Sequence, residues 1–344
     1  ELFPNKDNPN DIPASIQVLN LAFFPDEKGP YNFEHEETGK PGLSEGINSD
    51  GSLKEPESRW GGIMREINTT DFEESNVEYI EFWLMDPFVY DSSRTNDGKL
   101  YFNLGNISED ILKDSRKSFE NGLPSSEQID MVDTTSWGRV PISQSLVNAF
   151  DNDPEAREYQ DIGLDGLSDE DERTFFTDYL TQLEEEGNLT QEALDKFTED
   201  PSNDNYHYYR GNDYNREQKG IIERYKDYNG LEGNSPTSEQ SPESYPTSGK
   251  TLPDVEDINQ DNTLEENENY YQYQVELDPR EMKVGENYIT DKVKRKVELA
   301  NGEKSEITWY QFKIPVRNPD KRVGAIRDFR SIRFMRMFLR GFQD

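Results

Sequence analysis

The chain has 344 residues and a mass of 40.0 kDa, more than one hydrophobic core usually serves, so two or three domains are expected. Its 72 acidic and 37 basic side chains leave a formal charge of -35, which argues against nucleic-acid binding and against docking on an anionic leaflet. With no Cys there is no disulfide framework, thiolate nucleophile or Cys-ligated metal. His35 and His207 lie far apart in sequence and outside any H-E-x-x-H motif, so a catalytic zinc is not expected. The apolar fraction is 31%, yet aromatics reach 12%, which points to folded material interrupted by long polar segments. No apolar run approaches the roughly 18 to 20 residues of a membrane helix, and Glu1-Leu2-Phe3-Pro4 is no signal peptide. A barrel strand has a shorter, alternating signal that hydropathy does not reveal.

Along the chain, Ile16 to Phe24 reads as a strand, and residues 38 to 58 read as an irregular loop. Val77 to Met85 alternates, with Ile80, Phe82 and Leu84 on one face, while Tyr79, Trp83 and Met85 keep the other from being fully wet. Leu100 to Gly105 repeats the alternation after an Asn-Asp-Gly turn, which suggests antiparallel pairing. Trp60, Ile80, Phe82, Leu84, Phe102 and Leu104 are the expected core of this sandwich. Asn106 to Lys113 reads as a short turn or helix, and Ser143 or Ser145 is placed to cap a helical run through Phe150.

From Asp151 to Asp200 there are 18 acidic residues against three basic ones, a local charge of -15. Ser168 precedes a helical spacing over Asp169 to Leu183, with Asp171 closing a capping box, and Thr190 precedes a second helix ended by Pro201. Residues 229 to 253, rich in Gly, Pro, Ser and Glu, read as a linker. Tyr271, Tyr273, Val275 and Leu277 alternate as a strand, as do Thr308, Tyr310, Phe312 and Ile314. Ile332 to Leu339 fits a helix or a strand, with the surrounding pattern favouring a strand. Between Asp320 and Arg340 basic residues outnumber acidic ones seven to two, and Arg327, Arg330, Arg333, Arg336 and Arg340 mainly solvate one strand face.

Two loops have the ligand spacing of a calcium site. Counting from Asp257, the residues Asn259, Asp261, Thr263, Glu265 and Glu268 fall at positions three, five, seven, nine and twelve of an EF-hand loop, with Asn262 in place of the usual glycine. Asn reaches the left-handed turn conformation at some cost, so the pattern survives the substitution. No helix follows, and the competing reading is a solvated acidic connector built on Asx turns. In the second loop, Asp161, Asp165, Asp169 and Glu172 occupy positions one, five, nine and twelve with Gly166 at six, while Gly163 gives no ligand at three. Its competing reading is an acidic turn and helix cap near the positive end of the helix dipole. The expected cofactor is thus structural calcium, or none. Abundant carboxylates alone do not make a glycosidase, which needs two acids at a set separation, and no G-x-S-x-G elbow, P-loop or kinase motif is present. Trp60, Trp83, Trp137 and Trp309 are more simply core residues than sugar platforms.

Longer segments carry a more specific signal. Leu19-Asn20-Leu21-Ala22-Phe23-Phe24-Pro25 with Lys28-Gly29-Pro30-Tyr31-Asn32, Arg59 to Arg65, Tyr79 to Phe88 and Asn103 to Asp110 resemble successive parts of the SprA/Sov family. The resemblance continues through Trp137 to Pro141, Tyr159 to Leu167 and Ser331 to Leu339, nearly the whole chain. That family comprises giant outer-membrane proteins of Bacteroidota, which form the translocon of the type 9 secretion system and support gliding motility in some members. The resemblance implies an internal, non-membrane fragment of such a protein, serving transport without catalysis as an extracellular cap or scaffold. The partners it implies are the remainder of the translocon barrel, an outer-membrane shuttle protein and secreted cargo with a C-terminal sorting domain.

The expected architecture is mainly β. An antiparallel sandwich or jelly-roll-like domain over 1–150 is followed by an acidic helical insertion at 151–228 and the linker at 229–253. A calcium loop and a second, incomplete β segment fill 254–344. The alternative function is an independent carbohydrate-binding sandwich at the cell surface.

Overall fold

The computed structural model describes residues 17–30, 32–35, 45–89, 98–111, 116–117, 119, 131–142, 159, 165–205, 209–210, 212–226, 256–298, 302 and 304–343. The linker expected at 229–253 and the helix expected through Phe150 lie outside these residues. The chain divides into two compact units. The first takes Glu1–Pro25, Pro56–Asn106 and Asn269–Asp344, and the second takes Asp26–Glu55 and Ile107–Glu268.

The first unit is the β-rich one. It contains β1 (Trp60–Glu66), β2 (Tyr79–Met85) and β3 (Gly98–Asn106), and later in the chain β6 (Asn269–Leu277), β7 (Ile289–Glu298), β8 (Lys304–Pro315), β9 (Lys321–Val323) and β10 (Phe334–Arg340). Five of these form a sheet in the order β1-β10-β3-β6-β9, and the other three form β2-β8-β7, with every pairing antiparallel. The alternations legible in the sequence set which faces meet. Leu100, Phe102 and Leu104 of β3 stand opposite Val275, Tyr273 and Tyr271 of β6, while Ile80, Phe82 and Leu84 of β2 stand opposite Ile314, Phe312 and Tyr310 of β8. The two inward faces share one core, in which the Phe82 ring lies 5.2 Å from that of Phe102 across the sheets. Leu104, Tyr273, Phe312 and Ile314 lose all or nearly all of their solvent contact, each worth roughly 1.5–3 kcal/mol. The buried Tyr273 hydroxyl stays satisfied by donating to the Val316 carbonyl at 2.5 Å. At the edge strand β7, Lys292, Lys294 and Lys296 are exposed, a charge pattern that discourages edge-to-edge pairing.

Several expectations change here. The β-strands foreseen as an N-terminal sandwich and a separate C-terminal segment interleave in the same sheets, because β3 lies between β10 and β6 and β2 pairs with β8. Trp60, expected in the core, is 59% exposed, because it begins an edge strand on the face turned away from the other sheet. The segment expected as a strand over Ile16 to Phe24 is irregular from residue 17 and joins no sheet among the described strands, and residues 107–111 form no helix.

The second unit holds the short hairpin of β4 (Val132–Thr134) and β5 (Arg139–Pro141) and the helices α1 (Asp169–Phe175), α2 (Thr177–Glu186), α3 (Gln191–Glu199), α4 (Asn212–Glu217) and α5 (Ile221–Lys226). The expected caps are made: Ser168 accepts from the Asp171 amide and Thr190 from the Ala193 amide, both at 3.3 Å. The helix expected over Asp169 to Leu183 is broken at Phe176, which serves as C-cap of α1 and N-cap of α2. Phe176 instead stacks on Phe33 with centroids 4.3 Å apart, and with Leu53, Leu167, Tyr179, Leu183 and Phe197 it forms this unit's core.

Candidate functional site

The most concentrated chemistry is a buried acidic cluster in the second unit. Asp165 sits in the turn before α1, Glu172 on the buried side of α1, and Asp204 in the loop after α3 that opens with Pro201. One carboxylate oxygen of each lies within 4.8 Å of the others. The backbone permits this depth at Gly138 (φ 143°), where a Cβ would stand 2.2 Å from the Asp165 carbonyl oxygen, the same oxygen that accepts from the Arg139 amide at 2.7 Å.

Buried carboxylates need compensation, and several groups supply it. Ser202 donates its hydroxyl to Asp165 and its amide to Glu172 at 3.2 Å, and the Leu167 amide donates to Asp165 at 2.9 Å. Lys28 brings a cation from the other side. Its ammonium donates to the Pro201 carbonyl at 2.6 Å and lies 5.3 Å from the Phe33 ring centroid and 6.0 Å from that of Phe197, while Asn203 holds the Lys28 carbonyl at 2.6 Å. Burial brings the Lys28 pKa down to about 8, against the pull of Asp200, Asp204, Glu172 and Asp165. Burial also pushes Asp165 up to about 6, although the bonds from Ser202 and Leu167 favour its charged form.

Of the residues with EF-hand spacing in this loop, the structure thus brings Asp165 and Glu172 together. Asp161 and the side chain of Asp169 lie outside the described positions. Three facing carboxylate oxygens are a donor set for a hard divalent cation, and the charges of the same carboxylates act on the Lys28 ammonium. Asp204 and Lys28 had no local signal in the sequence, since both reach the cluster only through the fold.

The Asp257 loop is organised differently. The Asp257 carboxylate accepts from the amides of Asp261 and Asn262, both at 3.0 Å, and Asp261 accepts from the amide and hydroxyl of Thr263 at 2.9 and 2.5 Å. Asn259 closes another Asx turn on the Asp261 amide at 3.1 Å, and the Glu265 carboxylate accepts from the Asn267 amide at the same distance, while Glu268 is exposed. Asn262 adopts the left-handed conformation that position six demands, at φ 61°. The residue missed by sequence reading is Glu109. Almost wholly buried, its carboxylate accepts from the amides of Ile258 at 2.8 Å and Glu265 at 3.1 Å, so it staples both ends of the loop. Burial raises the pKa values of Glu109 and Asp257 despite these bonds.

Compared with known proteins, residues 178–344 match the SprA_N family, described as motility related/secretion protein. No curated protein matches the chain.

Proposed function

We propose, from the SprA_N match that supports a SprA-family fragment, that this chain is a non-catalytic cap or scaffold of an outer-membrane protein translocon. The coarse assignment is to motility and secretion, in the cell envelope. In the finer reading the chain lies on the extracellular side, joined to the translocon barrel, and meets a shuttle protein and folded cargo bearing a C-terminal sorting domain. The family match carries the proposal. Support comes from the architecture: a sandwich offers fixed surfaces, and no helix among the described residues is long and apolar enough to cross a membrane. The chain has no cysteine, so Glu192→Cys, at an exposed helical position, introduces a unique handle within it. In the full-length protein, an impermeant maleimide should label this site in intact cells. Labelling that requires permeabilised outer membranes would sink the extracellular placement.

A second reading, a carbohydrate-binding sandwich, is favoured by one observation. On the outward face of the larger sheet, Trp60, Phe338 and Tyr101 form a row, with ring centroids 5.7 Å and 4.6 Å apart. Soluble oligosaccharides would then quench tryptophan fluorescence saturably, and Trp60→Ala would remove the effect.

A further inference from the structure

In the second unit, α5 turns its apolar side chains outward. Ile221, Ile222 and Tyr225 are 64%, 55% and 48% exposed, and no residue of the helix is buried. Short helices ordinarily owe their stability to an apolar face packed against a core. Polar contacts hold α5 instead. The Arg224 guanidinium donates to the Lys219 carbonyl at 2.9 Å, the Tyr209 carbonyl at 3.1 Å and Oδ1 of Asn215 at 2.9 Å, and it lies 5.7 Å from the Tyr214 ring centroid. The Glu223 carboxylate accepts from the Gly220 amide at 2.7 Å, as in a capping box, and Lys226 pairs with Glu27 at 2.6 Å. The helix is thus fixed in place while it displays two isoleucines.

We propose that α5 is a docking helix, whose apolar stripe seats in an apolar groove with an acidic rim on a partner protein. At about 100° per residue, Ile221, Tyr225 and Ile222 fall within one arc of about 100°, the spacing that a helix-binding groove reads. The same spacing puts Arg224 and Lys226 on either side of that arc and Glu223 behind it. Charge selects the rim. Between positions 209 and 226 the chain carries Arg210, Arg216, Lys219, Arg224 and Lys226 against Asp213, Glu217 and Glu223, whereas residues 151–200 hold 18 acidic side chains against three basic ones. An acidic partner is therefore attracted at this segment and repelled by the acidic stretch, which fixes its orientation as well as its place. A second copy is a poorer occupant, since two such helices meeting about a two-fold axis set basic rim against basic rim. An anionic leaflet is poorer too, because it repels a chain with a formal charge of -35. The inference goes beyond the secretion reading and does not depend on it.

The test is site-specific photo-cross-linking in the full-length protein in its own cells, with a benzophenone amino acid at Ile221. Docking gives adducts on one protein other than this chain, at a groove lined with apolar residues and rimmed with carboxylates. Ile222→Gln should lower the yield by about tenfold or more, while Ile222→Leu leaves most of it. Glutamine and leucine are both strong helix formers and position 222 is exposed, so α5 persists in each variant. Scattered adducts, adducts on lipid, adducts confined to this chain or a second copy, adducts on a surface rimmed with basic residues, or no adduct at all would overturn the proposal. Equal yields for the glutamine and leucine variants would overturn it as well, since an apolar groove discriminates between them.

Discussion

The rings of Phe82 and Phe312 lie almost parallel, with planes 4° apart and centroids separated by 4.8 Å, at directly opposed positions of β2 and β8. Phe82 also touches Phe102 of the other sheet, so one side chain ties together a cross-strand pair and the contact between layers. Phe82→Ala should cost about 3–5 kcal/mol in denaturant unfolding, from lost transfer energy and the cavity left between the sheets. Trp60→Ala, on the exposed edge strand, should cost much less. Equal losses at the two positions would contradict the assignment of faces.

The Lys28 and Asp165 shifts predict an unusual pH dependence. Asp165 has a folded pKa of about 6 against 3.8 unfolded, so the folded state binds more protons between those values and its stability falls as pH rises through that window. Lys28 has a folded pKa of about 8 against 10.5, so the unfolded state binds more protons there and stability rises with pH from about 8 to 10.5. Together they give a trough between about pH 6 and 8, with each limb on the order of 3 kcal/mol. Urea unfolding followed by circular dichroism should show Asp165→Asn flattening the acid limb and Lys28→Met the alkaline one. Parallel pH profiles for wild type and both variants would refute the assignment.

Individual strands were legible in the sequence because alternation is local. Tyr271, Tyr273, Val275 and Leu277 announce a buried face by themselves, and Phe102 and Leu104 announce another. That Phe102 stands opposite Tyr273 was not legible, because the intervening residues from Ile107 to Glu268 belong to another unit and no local pattern records a pairing across it. The acidic cluster divides in the same way. Asp165 and Glu172 share one loop and helix, so their spacing could be counted, whereas Lys28 and Asp204 arrive from remote segments. Trp60 shows the limit of local pattern, because an aromatic residue on an edge strand can lie on the outward face and stay 59% exposed.

Tyr179 offers a substitution that should stabilise. It packs edge-on against Phe33 and Phe197 in the core of the second unit, and its hydroxyl is buried with no hydrogen-bond partner among the described residues. Burial, with Glu34 and Glu186 nearby, raises its pKa further, so the phenol stays neutral at ordinary pH. Removing an unsatisfied hydroxyl while keeping the ring relieves a desolvation penalty. Tyr179→Phe should therefore gain about 1 kcal/mol in urea unfolding. A loss of similar size would mean that the hydroxyl has a partner in solution.

Glu109 provides the sharpest test of how the Asp257 loop is built. Its two carboxylate oxygens accept from Ile258 and Glu265, and its own amide donates to the Glu265 carbonyl at 2.8 Å, so it joins the two ends of the loop by three bonds. Glu109→Ala strands two amide donors and should cost about 2–3 kcal/mol. Glu109→Gln keeps one acceptor oxygen but turns an NH2 toward a backbone N–H, so its cost should fall between wild type and alanine. Hydrogen exchange distinguishes this local role from general unfolding. The Ile258 and Glu265 amides should lose protection in both variants, while those of Asp261 and Asn262, which donate to Asp257, should lose less. If all four amides lose protection equally, Glu109 is supporting the whole fold; if none does, the staple contributes nothing to closing the loop.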